Sequence, residues 1–231
     1  MIRVLLLAID TSTPAVTAAL HDGTRVVAES TVVDARRHGE LLAPRIAAVL
    51  AEVGGQPGDL TGVAVGVGPG PFTGLRVGVV TALTLGAALA IPVHGICSLD
   101  AVAWATAAEQ ATEATRAAEQ AGVAGRFVVV TDARRREVYW AAYADGRTRE
   151  APATVDRPAE VVALHGSLPF VGPGAELCDA ATPRPTTLSA AALAEVAAYR
   201  LASGGELLDP RPLYLRRPDA TPPGQRKRVL A

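Results

Sequence analysis

The sequence predicts an α/β protein made of two halves with a similar order of elements. Three observations predict it. The apolar runs Val4–Ile9, Val63–Val67 and Phe127–Thr131 have the length and β-branched content of buried strands. Two stretches, His38–Val53 and Thr73–Ala90, read as helices. The tetrapeptide Val67-Gly-Pro-Gly70 recurs as Val171-Gly-Pro-Gly174, and Asp10 and Asp132 each end an apolar strand.

Val4–Ile9 reads as a central strand, broken by Asp10-Thr11-Ser12-Thr13-Pro14. Val16–Leu20 and Arg25–Thr31 follow as strands, joined by an Asp22-Gly23 hairpin turn. In the first helix Leu41, Leu42, Ile46, Val49, Leu50 and Val53 share one face, and Pro44 should lie in its first turns. Strand Val63–Val67 enters Gly68-Pro-Gly-Pro71 and then the second helix. Pro92–Ser98 reads as a short strand, with Ser98 able to cap a helix from Leu99. Trp104–Gln120 is alanine-rich and reads as a surface helix. Phe127–Thr131 and Glu137–Tyr143 form a hairpin, Leu168–Val171 a strand and Ser189–Leu201 a helix. The tail after Pro210 is rich in Pro and Arg and is expected to be partly ordered.

The 231 residues suffice for one large or two small domains, and 49% hydrophobic residues exclude a disordered chain. A formal net charge of −1 offers no global basic field for nucleic acid. Cys97 and Cys178 lie in no CxxC pattern and read as reduced small hydrophobes. The N-terminal apolar run is too short for a signal peptide, and Val77–Val93 is too short for a bilayer span. These features predict a cytoplasmic protein with no membrane partner.

Asp10-Thr11-Ser12 follows a buried strand, where a carboxylate could orient a metal or water beside phosphate. The bland reading of the same residues is an Asx or ST turn. Gly68, Gly70 and Thr73 sit at a strand–turn–helix junction that gathers backbone N–H groups. Neither a Walker A nor a Rossmann pattern is present, no lysine is near, and Pro69 and Pro71 lack N–H donors. His38 lacks a second histidine four residues on, because Leu42 stands there, so no metal is expected. No nucleophile elbow or Cys/His pattern appears, and no catalytic residue is assigned. Arg134–Arg136 and Arg226–Arg228 are short basic clusters, readable as solvated segments or as RNA contacts.

The motifs Ala8-Ile-Asp-Thr-Ser-Thr13, His38-x-x-x-Leu-x-Pro44, Gly68-Pro-Gly-x-Phe-Thr-Gly-Leu-Arg76, Ser98-Leu99, Asp132-Ala-Arg-x-x-Glu-Val-Tyr139 and Pro212-Leu-Tyr-Leu-Arg216 resemble the TsaB (YeaZ) family over nearly the whole chain. That resemblance implies an actin-like ATPase (ASKHA, ribonuclease H-like) fold, with two related subdomains whose mixed sheets are flanked by helices. The expected subdomains are residues 1–98, with partner-binding helices, and 99–231. It implies a non-catalytic subunit that activates a TsaD-like enzyme, together with a TsaE-like ATPase. The complex puts a threonylcarbamoyl group on the adenosine beside the anticodon of tRNAs reading codons that start with A. The resemblance also implies self-pairing in isolation and tRNA contact mainly through the complex.

The interface implied lies on the two N-terminal helices, at Leu41, Leu42, Ile46, Val49, Leu75, Arg76, Val79 and Leu83. The catalytic relative holds its metal with a His-x-x-x-His pair, which this chain lacks. Asp10, Thr11, Ser12, Gly68, Gly70 and Thr73 become vestigial nucleotide-loop positions, with no bound ATP or ADP expected. Pro71 stands where the family usually has serine, which weakens a nucleotide site further. The alternative reading is an independent ATP-dependent kinase or ATPase of the actin-like class. Nothing in the sequence supports the peptidase activity once attached to this family.

Overall fold

A computed structural model describes residues 4–116, 125–178, 183–184 and 188–216. The first sheet holds β1 (Leu6–Asp10), β2 (Ala15–His21), β3 (Val26–Val33), β4 (Gly62–Gly68) and β5 (Val93–Cys97), in the order β3-β2-β1-β4-β5. The β1–β2 and β2–β3 pairs are antiparallel, and β1–β4 and β4–β5 are parallel. Every residue of β1, β2 and β4 is buried, as continuous apolar runs in a sheet covered on both faces require.

The second sheet repeats this plan. It holds β6 (Phe127–Arg134), β7 (Glu137–Tyr143), β8 (Thr154–Asp156), β9 (Phe170–Val171) and β10 (Pro183–Arg184) in the order β10-β9-β6-β7-β8. Its β6–β7 and β7–β8 pairs are antiparallel, and β6–β9 and β9–β10 are parallel. The repeated tetrapeptide therefore marks equivalent positions, at the ends of β4 and β9. This is the actin-like arrangement of two mixed sheets flanked by helices.

The helices are α1 (His38–Glu52), α2 (Phe72–Leu89), α3 (Ser98–Arg116), α4 (Pro158–His165) and α5 (Ala190–Ser203). By position α4 matches α1 and α5 matches α3, whereas a single 3-10 turn, Ala175–Leu177, stands where the first half has α2. Pro44 lies in the second turn of α1, not at its start. Its ring carries no N–H, and the residue is exposed where water can satisfy the freed carbonyl. Along α2, Leu75, Val79, Ala82 and Gly86 are buried at helical spacing. By length and composition α2 could cross a membrane, but here that face packs on β4 as a core helix does.

Two expectations change. The surface helix predicted from Trp104 starts at Ser98, and Leu99, Ala101, Val102 and Ala103 of its first turns are buried; residues 117–120 of that prediction lie outside the described residues. The 98/99 boundary separates the sheets but not the cores. Helix α5, late in the chain, covers the first sheet: Leu193, Val196 and Ala197 pack with Leu6, Ala8, Ala19 and Ala64. Its N-cap Ser189 accepts from the Ala191 and Ala192 amides and donates to Glu29 of β3. The chain after Pro210 is also packed as far as Arg216. Leu213 N–H donates to Val67 O at 2.7 Å, and Leu208 and Leu213 enter both cores. The remainder of the tail, with Arg226–Arg228, lies outside the described residues.

Candidate functional site

The loop after β1 and the turn after β4 are locked together. Asp10 is fully buried. One carboxylate oxygen accepts from Ser12 N–H at 2.6 Å and the other from the Ser98 hydroxyl at 2.6 Å. The Ser98 oxygen in turn accepts from Gly68 N–H at 3.1 Å. Ser98 is thus drawn to Asp10 and does not cap α3 as predicted. Burial pushes the Asp10 carboxyl above its ordinary value, opposed by its hydrogen bonds to Ser98 and Ser12 and by the nearby His38.

Gly66, Gly70, Gly74 and Gly78 recur every four residues through β4, the turn and α2. A β-carbon at Gly66 would run into the Asp10 carboxylate, and one at Gly70 into the Ser12 carbonyl. At Gly74 it would meet the Thr11 carbonyl at 2.5 Å, and at Gly78 the Thr11 hydroxyl at 2.7 Å. The Thr11 hydroxyl donates to Gly74 O at 2.7 Å and accepts from Gly78 N–H at 3.0 Å, so it bridges two groups that pair within a regular helix. The second half repeats the device. Asp132 accepts from Arg134 N–H at 2.6 Å, as Asp10 does from Ser12, and a β-carbon at Gly174 would meet Thr131 at 2.7 Å.

Five of the six nucleotide-loop positions, Asp10, Thr11, Ser12, Gly68 and Gly70, therefore come together, held by the Asp10, Thr11 and Ser98 side chains and by close glycine packing. The Asp10 side chain itself is sealed from solvent. Thr73 stands apart, exposed at the start of α2. It lines a cavity of about 180 Å³ with Thr13, Arg36, His38 and Arg134. A second cavity of about 180 Å³ adjoins it between the two halves, lined by Ser12, Thr131, Asp132, Arg134 and Pro173. Both fall below the 300–1,000 Å³ typical of pockets for drug-sized ligands. The Thr131 hydroxyl is buried with no hydrogen-bond partner among the described residues. Pro71 at the N-cap offers α2 no side-chain cap, and Phe72, Thr73 and Gly74 have no acceptor for their N–H groups among the described residues.

His38 Nε2 contacts the Thr13 carbonyl at 2.8 Å; a carbonyl only accepts, so this nitrogen carries the proton and is unavailable to a metal. Leu42, at the place of a second histidine, is buried in the core. Cys97 and Cys178 are free and buried, with thiols pushed up by burial to about 12 and about 11, which keeps them protonated and unreactive.

The expected interface positions divide. Leu42, Ile46, Val49, Leu75 and Val79 are buried in this chain's own core, because they form the stripes that α1 and α2 turn toward the sheet, and they cannot lie on an open face. Leu41 is half-buried, and Arg76 and Leu83 are exposed. The outward stripe of α2 is Phe72, Arg76, Val80 and Leu83, with Phe72, Val80 and Leu83 at 41%, 59% and 43% exposure. Tyr214 from the tail stacks on Phe72 at 5.0 Å, and Arg76 lies 3.8 Å over the same ring and donates to the Tyr214 hydroxyl at 3.0 Å. Phe72 and Val80 escape the sequence reading because helical spacing alone does not say which stripe meets the sheet, and Tyr214 because its partner Phe72 is distant in the chain. Ser98 escapes because its partner is 88 residues away.

The fold, two mixed sheets flanked by helices with the β1 loop locked to the β4 turn, defines an actin-like protein. A sequence-family model described as TsaD: tRNA N6-adenosine threonylcarbamoyltransferase matches residues 26–191. The uncharacterized protein Rv3421c of Mycobacterium tuberculosis is 44% identical over 228 residues, covering 94% of this chain and 93% of that protein. Two solved structures from Pseudomonas aeruginosa are similar at 28% identity, each spanning 92% of this chain and 100% of its own. One is an uncharacterized protein with similarity to peptidase YEAZ, at a TM-score of 0.73, and the other is YeaZ, at 0.71. The chain belongs to the TsaB (YeaZ) family, within the wider group matched by the TsaD model.

Proposed function

We propose that this protein is a non-catalytic subunit of the apparatus that places threonylcarbamoyl on the adenosine beside the anticodon of tRNAs reading codons that start with A. It binds and activates a TsaD-like catalytic subunit, with a TsaE-like ATPase as third member, and it acts in the cytoplasm. The observation that carries the reading is the packed corner at Asp10. Family membership supports the pathway, while a carboxylate sealed by Ser12 and Ser98 and a proton-bearing His38 Nε2 support a subunit that leaves the chemistry to its partner. The same closure supports a subunit that works without a nucleotide of its own.

The partner surface is the outward stripe of α2, Phe72, Val80 and Leu83, with Tyr214 and Arg76 at its edge. A standard interface buries about 1,600 Å² in total, and such a stripe supplies the apolar centre of one. In isolation the same stripe is available to a second copy of the chain. Val80→Asp with Leu83→Asp should abolish co-elution with the TsaD-like subunit and leave the melting temperature within about 2 °C of the parent, because both side chains are exposed. Undiminished co-elution of the folded variant would contradict the assignment.

A further inference from the structure

The mouth of the cleft between the two halves is strongly basic. Residues 34–37 bring Arg36 and Arg37 with Asp34, and residues 132–136 bring Arg134, Arg135 and Arg136 with Asp132. Five arginines against two aspartates is a local excess of three positive charges, on a chain whose formal net charge is −1. Arg36 and Arg134 line one cavity, so the two segments meet there from opposite halves. Asp34 is paired with Arg37 at 2.9 Å and Asp132 with Arg134 at 3.2 Å. Arg36 and Arg136 have no carboxylate partner among the described residues.

The β6–β7 turn is held in an unfavourable conformation. Arg134, Arg135 and Arg136 have φ of 63°, 54° and 64°, a run of left-handed residues that side chains other than glycine resist. Such strain persists only where the surroundings enforce it, and it gathers at functional sites. Here Arg216 enforces it. Its guanidinium donates to Ala133 O at 3.0 Å and Arg134 O at 3.4 Å and pairs with Glu137. All three turn arginines are exposed. Beside them stand the uncapped N-terminus of α2 and the buried Thr131 hydroxyl, which lines the adjoining cavity and has no hydrogen-bond partner among the described residues.

We infer that this mouth is a docking surface for the phosphodiester backbone of an RNA, gripped by Arg36 on one half and Arg134 and Arg136 on the other. The cavities beneath are each smaller than typical ligand pockets, whereas an exposed rim of guanidiniums and free N–H groups suits a chain of phosphates that passes over it. The inference rests on the proposed role in tRNA modification and adds a direct contact of this subunit with the substrate.

The test is fluorescence-anisotropy titration of labelled tRNA with the full chain, without partner subunits, over a salt series. About three phosphate contacts predict a slope of log affinity on log salt near −2.5. Arg36→Glu with Arg136→Glu should lower affinity at least about tenfold and make the slope shallower by about 1.5 to 2. Arg25→Glu, a single charge reversal at the opposite end of the first sheet, should leave both unchanged. If the double reversal lowers the melting temperature, Arg36→Gln with Arg136→Gln reads the same surface, with a slope shallower by the same amount. Salt-insensitive or absent binding by the parent, or an equal loss in Arg25→Glu, would overturn the inference. Co-elution of the double variant with the TsaD-like subunit separates this outcome from failure of the scaffold reading.

Discussion

Asp10 is a buried carboxylate whose partners are a backbone N–H and a serine hydroxyl rather than a cation in contact. Its raised folded-state pKa has a definite consequence for stability. The contribution is fully present below the unfolded value near 3.8 and is lost as pH rises through the folded pKa, because ionisation is harder in the folded state. Asp10→Asn retains an acceptor for Ser12 N–H and does not ionise. Between pH 4 and 7 the unfolding free energy of the variant should therefore gain on that of the parent as pH rises. The gain is at most about 1.4 kcal/mol for each pH unit crossed below the folded pKa. Denaturant titrations at several pH values measure it. A constant offset across that range would show that Asp10 ionises in the folded protein as it does in the unfolded chain. Asp100 is a useful contrast: also buried, it meets Arg149 at 3.1 Å, Arg200 at 2.8 Å and the Tyr143 hydroxyl at 2.7 Å. One buried carboxylate is paired with two arginines and a tyrosine, and the other is met by one backbone N–H and one serine hydroxyl.

At the scale of elements, α5 is the piece that makes the two halves interdependent. It buries Leu193, Val196 and Ala197 on the first sheet, and Arg200 reaches back to Asp100 of α3. A fragment of residues 1–98 lacks that cover and should show no cooperative thermal unfolding by circular dichroism. A cooperative, monomeric fragment would contradict the shared core. Strands β1, β4 and β6 and helices α1 and α2 were legible in the sequence because each carries its own periodicity or unbroken apolar run. The crossing of α5 was not, since an alanine-rich helix names no sheet. The recurrence of Val-Gly-Pro-Gly was legible as a repeat, but only strand pairing reveals that Gly70 and Gly174 press on equivalent loops. The candidate site was half legible. Asp10, Thr11, Ser12, Gly68 and Gly70 do converge, whereas their closure by Ser98 and the outward turn of Phe72 and Val80 depend on distant contacts.

For the whole molecule, the two halves share one strand plan and differ at one end of each sheet. The first half keeps a long α2 whose outer stripe is apolar, and the second replaces it with a 3-10 turn. The corner at Asp10 is held by the Ser12 N–H and the Ser98 hydroxyl, and an exposed helix face lies beside a basic cleft mouth. That combination fits a protein that acts through its partners. The most direct measurement is the rate at which a TsaD-like subunit, with its TsaE-like ATPase, modifies tRNA with and without this chain. The account predicts modification that depends on the chain, persists with Asp10→Asn and is lost with Val80→Asp and Leu83→Asp. Modification at an unchanged rate without the chain, or loss of activity with a folded, partner-bound Asp10→Asn, would contradict it.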